Sequence, residues 1–181
     1  MKLKEIAALC RKAKSVIVFD EEGRQWAGDG SAMYILPENI GGMTPDTLCV
    51  IFDIPTDKAA EFYTRRSEFP ATFESGDEAE EDELLFDTDR RVLYDGADMT
   101  PLQTPDGKVF FIKSKYLKAV NDSENLRLTL RIDGEGNRYI AVKDGMFLAA
   151  IIVPIMLKPG TTAWLGTLYN GTVKSHMEIE G

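Results

Sequence analysis

A chain of 181 residues, 44% of them hydrophobic, is long enough to bury a core in one domain or two small ones. The same apolar fraction excludes a disordered or collagen-like protein. One His and two Cys exclude most His-based catalytic triads, His-rich metal sites and zinc ribbons. The net charge of −9 comes from 30 acids and 21 bases.

The acidity is confined to one segment of the chain. Nine of the 30 acids lie in Glu74–Asp89, which contains no base, so the other 21 acids balance the 21 Lys and Arg residues. We call Glu74–Asp89 the acidic segment and expect a solvated loop or linker. A divalent-cation site or a nucleic-acid mimic is the alternative. The sequence then divides into an N-terminal half (1–73), the linker (74–90) and a C-terminal half (91–181).

Several features of the sequence favour a cytoplasmic protein. The N-terminus has no apolar stretch typical of a secretory signal. The longest apolar run, Met146–Leu157, has 12 residues and contains Pro154, which predicts buried core because a membrane span needs about 20 residues. Cys10 and Cys49 have no metal-binding spacing, and Cys10 lies on an apolar helical face, where a buried thiol is expected. No membrane association is expected.

The first half predicts a helix followed by an antiparallel meander. Residues 2–14 place apolar side chains on one helical face. Strands are predicted at Ser15–Asp20, Arg24–Gly28, Ala32–Leu36, Leu48–Ile54, Arg91–Tyr94 and Lys108–Ile112, and a helix from Thr56 to about Glu68.

The second half repeats that order. A helix at Lys113–Asn121 precedes strands at Leu126–Ile132, Arg138–Val142 and Met146–Val153. Asp29-Gly30 and Asp144-Gly145 mark equivalent breaks before the last strand of each meander. The fold class predicted is therefore α+β, with two helix-plus-antiparallel-meander halves that suggest an internal duplication.

Both leading helices are basic on the face opposite their apolar side chains. Residues 2–14 hold five bases and one acid, and residues 108–118 hold four bases and no acid. Solvated lysines on good helix formers are one explanation. The other is sequence-independent binding of phosphates, which Lys and Arg perform without contacting bases. The predicted DNA-binding residues are Lys4, Arg11, Lys12, Lys115 and Lys118.

Two stretches carry a resemblance to a known family. Phe110–Val120 (FFIKSKYLKAV) resembles the strand-to-helix passage of a sliding-clamp domain, and Ala149–Met156 (AAIIVPIM) is similar to strands ending in Pro-Met in bacterial clamps. With residues 2–36, the likeness to polymerase sliding clamps covers about half of the chain.

The resemblance implies α/β domains repeated around a ring, with sheets outside and positive helices lining a channel around duplex DNA. It also implies a closed homo-oligomer and a polymerase-type partner that docks through a short peptide. The small, acidic chain with Lys-Gly turns also resembles prophage proteins of unknown function, which would suit a replication accessory.

Catalytic signatures are weak. The Gly-Asp-Gly-Ser stretch at 28–31 lacks the spacing of a phosphate loop or of a nucleophile elbow. Asp29 and Asp144 could form an acid–base or metal-binding carboxylate pair if the halves met face to face, but residues of this type before Gly are typical of turns. No catalytic residue, cofactor or metal is expected.

The single His and the two Trp residues are the remaining candidates for a functional role. His176 lies near the C-terminus, where a lone His is rarely catalytic. Trp26 and Trp164 are expected to be packed, or half-exposed anchors for a partner. The expected function is a non-catalytic, DNA-associated accessory protein that contacts duplex phosphates. The alternative is a protein–protein interaction module that uses the acidic segment and apolar edges without binding DNA.

Overall fold

The computed structural model describes residues 2–37, 42–79, 82–87, 90–121, 124–158, 160–161 and 163–167. The helices include α1 (Leu3–Ala13), α2 (Pro45–Ile51), α3 (Thr56–Ala59) and a 3-10 helix (Ser114–Ala119), and residues 160–161 and 163–167 are also helical. The strands are β1 (Ser15–Glu21), β2 (Arg24–Gly28), β3 (Ala32–Ile35), β4 (Tyr63–Glu68), β5 (Glu83–Asp87), β6 (Val92–Tyr94), β7 (Ala97–Gln103), β8 (Val109–Lys113), β9 (Leu126–Ile132), β10 (Arg138–Asp144) and β11 (Phe147–Ile152). The predicted α+β class is confirmed.

The strands form one continuous sheet in the order β4-β1-β2-β3-β11-β10-β9-β5-β7-β6, with β8 paired to β7. The two meanders meet at β3 and β11, where Met33 is opposite Ile151 in an antiparallel pair. β4 runs parallel to β1, and every other strand pair described is antiparallel. The helices that precede the two meanders, α1 and the 3-10 helix, lie on the same face of this sheet.

Side chains alternate between the two faces of the sheet, as strand geometry requires. On one face, the core beneath α1, α2 and the 3-10 helix includes Val18, Tyr34 and Ile140. On the other face, Trp26 and Tyr139 pack with Phe69 and Phe73, which lead into the acidic segment. Both faces of the central strands are therefore covered.

The β2–β3 connection depends on one glycine. A β-carbon added at Gly28 would lie 1.8 Å from the backbone oxygen of Ala32, closer than any real contact. The backbone amide of Asp29 donates to that same oxygen at 3.2 Å. The turn into β3 therefore has space only for hydrogen at this position.

The acidic segment is not simply a loop. Its residues 83–87 form β5, in which Glu83–Leu85 pairs with β9 and Phe86–Asp87 pairs with β7. Leu85 is the one buried residue of this strand, whereas its neighbours Leu84 and Phe86, on the other face, are 42% and 48% exposed. The expectation of a loop is therefore wrong for this part. The error arises because the apolar run Leu84-Leu85-Phe86, which favours a strand, lies among many carboxylates.

Asp82 fastens the acidic segment to the second meander. Its carboxylate accepts from Arg131 Nε at 2.6 Å and from Lys143 Nζ at 2.6 Å. Arg131, only 1% exposed, also donates to the backbone oxygens of Glu74 and Gly76 at 3.0 and 2.8 Å. We call the contacts among Asp82, Arg131 and Lys143 the clasp.

Three further element predictions were wrong. Leu48–Ile54, predicted as a strand, lies mostly in helix α2, whose cap Thr44 accepts from the backbone amide of Thr47 at 3.1 Å. The helix predicted from Thr56 to Glu68 ends at Ala59, and residues 63–68 instead form the exposed strand β4. Strand β7 was missed because it contains Pro101.

Pro101 is tolerated in β7 because one side of the strand is open there. It pairs with Phe111 of β8, while on the other side the partners from β6 end at Met99 and those from β5 begin at Leu102. A proline in a sheet is confined to such positions since it has no amide hydrogen.

No helix in the described part of the chain is long and apolar enough to span a membrane. The internal duplication and the boundaries at residues 73 and 90 stay predictions.

Candidate functional site: the lysine pocket

Helix α1 and the 3-10 helix lie side by side on the same face of the sheet. Ile6 and Cys10 of α1 are fully buried, which leaves the opposite side of α1 to its charged residues. The amide of Lys2 donates to the backbone oxygen of Ala119 at 2.7 Å, and Tyr34 Oη donates to that of Tyr116 at 2.7 Å. These bonds fix the 3-10 helix both to α1 and to the sheet.

Where the two helices approach the β6–β7 turn, a cavity of about 370 Å³ forms. We call it the lysine pocket, and the side chains that line it are Lys12, Lys113, Lys115, Lys118 and Asp98, together with Gly96 and Ala97. Two chain segments far apart in sequence, the end of α1 and residues 113–118, thus bring four lysines to one cavity.

The β6–β7 turn has its own local cause. Asp95 and Gly96 have φ of 48° and 70°, and Tyr94 is opposite Ala97. Two central residues with positive φ make the tight hairpin turn that an Asp-Gly pair favours. That turn places Asp98, the second residue of β7, at the wall of the lysine pocket.

The charges of the pocket are largely uncompensated. Lys115 Nζ lies 3.3 Å from Asp29 Oδ2, and its ammonium is 4.6 Å from the ring centre of Tyr116. Lys12, Lys113 and Lys118 form no ion pair with any residue that the structure describes. The pocket therefore concentrates positive charge in a chain whose net charge is −9.

The groups behind Lys115 are neutral. Burial raises the pKa of Tyr116 to about 12 and that of the Cys10 thiol to about 12, and nearby Asp29 adds to both effects. Burial likewise raises the pKa of Tyr34. Asp29, whose side chain is 3% exposed, is thus the charged partner of Lys115 in this layer.

Asp29 is a turn residue, as predicted. Its Oδ1 accepts from the backbone amides of Ser31 and Ala32 at 3.0 and 3.1 Å, while its Oδ2 faces Lys115. Asp144 ends β10, opposite Phe147 at the turn into β11. With both oxygens of Asp29 engaged, the described contacts give no support to a carboxylate pair with Asp144.

The five predicted DNA-binding residues do not all meet. Lys12, Lys115 and Lys118 line the lysine pocket, but Lys4 and Arg11 do not. Lys4 is exposed on α1, two turns before Lys12 and about 12 Å away along the axis. Arg11 Nη1 instead donates to the backbone oxygen of Phe52 at 2.5 Å, which ties the end of α1 to the end of α2.

Sequence reasoning does not identify two charged residues of the pocket, Lys113 and Asp98. Lys113 was counted among the bases of residues 108–118 but was not singled out, since it was placed at the start of a helix rather than at the end of β8. Asp98 was missed because residues 95–107 were interpreted as a connection. The Asp95-Gly96 pair next to Val92–Tyr94 is the hairpin signal that would have placed it.

The Trp and Cys residues considered in the sequence do not line the lysine pocket. Trp26 is fully buried and donates to Glu21 Oε2 at 2.8 Å, whereas Trp164 is 57% exposed. Cys10 and Cys49 are buried free thiols, as expected for Cys10. His176 lies outside the described residues. Among the residues described, no group of three or more His, Cys, Asp or Glu could hold a metal ion.

Comparison of the chain with known protein families, with curated proteins and with solved structures finds no match.

Proposed function

We propose that the protein is a non-catalytic, cytoplasmic DNA-associated accessory protein that contacts nucleic-acid phosphates through the lysine pocket. The observation that carries the proposal is the convergence of Lys12, Lys113, Lys115 and Lys118 on one cavity. Three of these lysines have no carboxylate partner among the described residues, so their charge is available to an external anion. Asp98 is the one acid in the lining.

Binding through this site would be electrostatic and independent of sequence. Lysine ammonium groups neutralise phosphates and release condensed counterions, but they distinguish bases poorly when they contact the backbone alone. Lys4 would extend the contact along α1 beyond the pocket. A clamp-like ring, a homo-oligomer and a polymerase-type partner belong to the same proposal, and the likeness to sliding clamps described above is their support.

The direct test is charge reversal at two exposed lysines of the pocket. Lys12→Glu/Lys118→Glu is preferable to a change at Lys115, because loss of Lys115 would leave the buried carboxylate of Asp29 without its cation. We expect the double variant to lose at least tenfold in affinity for a labelled duplex of about 20 base pairs, measured by fluorescence anisotropy at low salt.

A matched control separates the pocket from net charge. Lys58→Glu/Arg65→Glu makes the same change in total charge at two exposed residues outside the pocket. This variant should lose much less affinity than the pocket variant. Equal losses, or no binding by the unaltered protein, would refute a DNA-binding role for the lysine pocket.

Exposed apolar side chains favour a second function, protein–protein interaction. Met146 and Phe147, at the β10–β11 turn, are 72% and 71% exposed. Phe147 also lines a separate cavity of about 720 Å³ together with Arg24 and Arg66. An interaction module of this kind would keep its partner in Lys12→Glu/Lys118→Glu and lose it in Phe147→Ser, whereas DNA binding would show the reverse pattern.

A further inference from the structure

The lysine pocket carries a surplus of two positive charges. It contains four ammonium groups and the carboxylate of Asp98, and the ammonium of Lys115 is shared with Asp29. Four cations less these two carboxylates leave a charge of +2. We propose that the pocket binds a phosphomonoester dianion, an inference that rests on the proposed function and specifies its ligand.

The shape of the site favours a terminal phosphate over the phosphodiesters along the side of a duplex. The cavity is concave and is formed by the last turn of α1, the start of β7 and the 3-10 helix. Its volume of about 370 Å³ lies in the range of pockets for small ligands, about 300–1,000 Å³. A terminal phosphate can enter such a cavity, whereas the phosphodiesters of a duplex lie along a convex surface.

The charge of the ligand is the second argument. A phosphomonoester carries about −1.5 to −2 at pH 7 and offers three strong acceptor oxygens. A phosphodiester carries a single negative charge. Lysine ammonium groups donate up to three hydrogen bonds each, and three lysines without partners can surround the three terminal oxygens. The surplus of the pocket therefore fits the monoester.

The monoester has two possible sources, a 5′-phosphorylated strand end or a free phosphorylated small molecule. The first arm of the test compares two duplexes that differ only in a 5′-phosphate or a 5′-hydroxyl. The second arm compares adenosine 5′-monophosphate with adenosine as competitors for the labelled duplex and as ligands measured directly by calorimetry. Both arms use the full chain.

We expect the 5′-phosphorylated duplex to bind about tenfold more tightly at low salt. The preference should shrink when the pH is lowered from about 7.5 to about 5.5, because the second proton of a phosphomonoester binds with a pKa of about 6. Equal binding of the two duplexes, together with no binding of the nucleotide, would overturn the inference while leaving the proposed function intact.

Binding of the nucleotide but of neither duplex has a different meaning. It would refute the DNA-associated function and support the monoester site with a free metabolite as its source. Absence of binding by every probe would refute both proposals.

Two variants of the pocket should change the preference in opposite directions. Lys113→Met removes one ammonium and should reduce the ratio of 5′-phosphate to 5′-hydroxyl affinity severalfold. Asp98→Asn removes the one repelling carboxylate of the lining and should increase that ratio. A merely structural role for either residue would not produce an increase, so an unchanged or reduced ratio in Asp98→Asn contradicts the inference.

Discussion

Asp82 shows how one carboxylate within an acidic stretch can have a structural role. Burial alone would raise its pKa, but hydrogen bonds from Arg131, Lys143 and Thr129 outweigh burial and hold the pKa of Asp82 well below its usual range. The same cations would otherwise lie unpaired beside the sheet, since Arg131 is 1% and Lys143 11% exposed. In the clasp, the carboxylate of Asp82 therefore pairs with the buried cations of Arg131 and Lys143.

We expect Asp82→Asn to lower the free energy of unfolding by on the order of 3 kcal/mol, because it leaves a buried guanidinium without its counter-ion. Urea unfolding followed by circular dichroism measures this loss. The control is Asp106→Asn, which removes an exposed ion pair with Lys108 and should barely move the midpoint. A similar midpoint shift in both variants would show that the clasp does not stabilise the fold.

The clasp should also make stability dependent on acid. The pKa of Asp82 is lower in the folded than in the unfolded chain, so its contribution is fully present above the unfolded value and decreases as the pH falls through the folded value. The unfolded value is about 3.9. We therefore expect the difference in urea midpoint between the wild type and Asp82→Asn to narrow below about pH 4. A constant difference from pH 7 downward would contradict this explanation.

At the scale of elements, the β2–β3 turn tests the packing of the first meander. Gly28→Ala should cost at least about 3 kcal/mol, because its β-carbon would overlap the oxygen of Ala32. Gly134→Ala is the matched control, since its nearest neighbours lie at 3.8 Å and its backbone is not left-handed. Thermal unfolding of the two variants gives the comparison, and equal melting temperatures would show that the turn can open.

For the strands of the two meanders, most predicted ends lie within two residues of the observed ends. Their strands alternate apolar and polar side chains, and Gly-containing turns separate them at short intervals, which are strong local signals. For example, Arg24–Gly28 and Leu126–Ile132 have the predicted bounds. Local chemistry determines these strands, so no knowledge of the rest of the molecule was needed.

Elements that depend on distant partners could not be predicted. Residues 48–54 are a short apolar run, for which periodicity does not distinguish a strand from a buried helix. Residues 63–68 have little apolar character and become a strand only through parallel pairing with β1. The clasp likewise joins residues 49 positions apart, Asp82 and Arg131, without a sequence motif.

The candidate site was predicted in part for the same reason. The helical faces of Lys12, Lys115 and Lys118 follow from local spacing, whereas the cavity between them depends on how α1, β7 and the 3-10 helix pack. Arg11 was placed with Lys12 because the two are neighbours in sequence. One residue along a helix rotates the side chain by about 100°, and Arg11 contacts α2 instead.

For the molecule as a whole, the salt dependence of DNA binding tests the number of phosphate contacts. If the three lysines without a carboxylate partner each neutralise one phosphate, the slope of log K against log salt should be about −2.7. Lys12→Ala/Lys118→Ala should reduce its magnitude by about two. Lys58→Ala should leave the slope unchanged, and a slope near zero in the wild type would exclude the electrostatic mechanism.

Removal of the acidic segment cannot serve as a test of partner binding. Deletion of residues 74–89 would remove β5 and the clasp, so loss of a partner would reflect loss of the fold. Substitutions of exposed side chains, such as Phe147→Ser, are the appropriate probes of an interaction surface.

The pairing of β3 with β11 has a consequence for how the chain can be divided. Each meander ends in a strand whose open edge is covered by the other meander, with Ala32–Tyr34 opposite Ala150–Ile152. A fragment ending before the acidic segment would expose the hydrogen-bonding groups of β3 and the apolar side chains beside them. We expect such a fragment and its complement to aggregate when each is produced alone. When the two fragments are co-expressed, we expect them to associate through β3 and β11 and to form the folded structure of the intact chain.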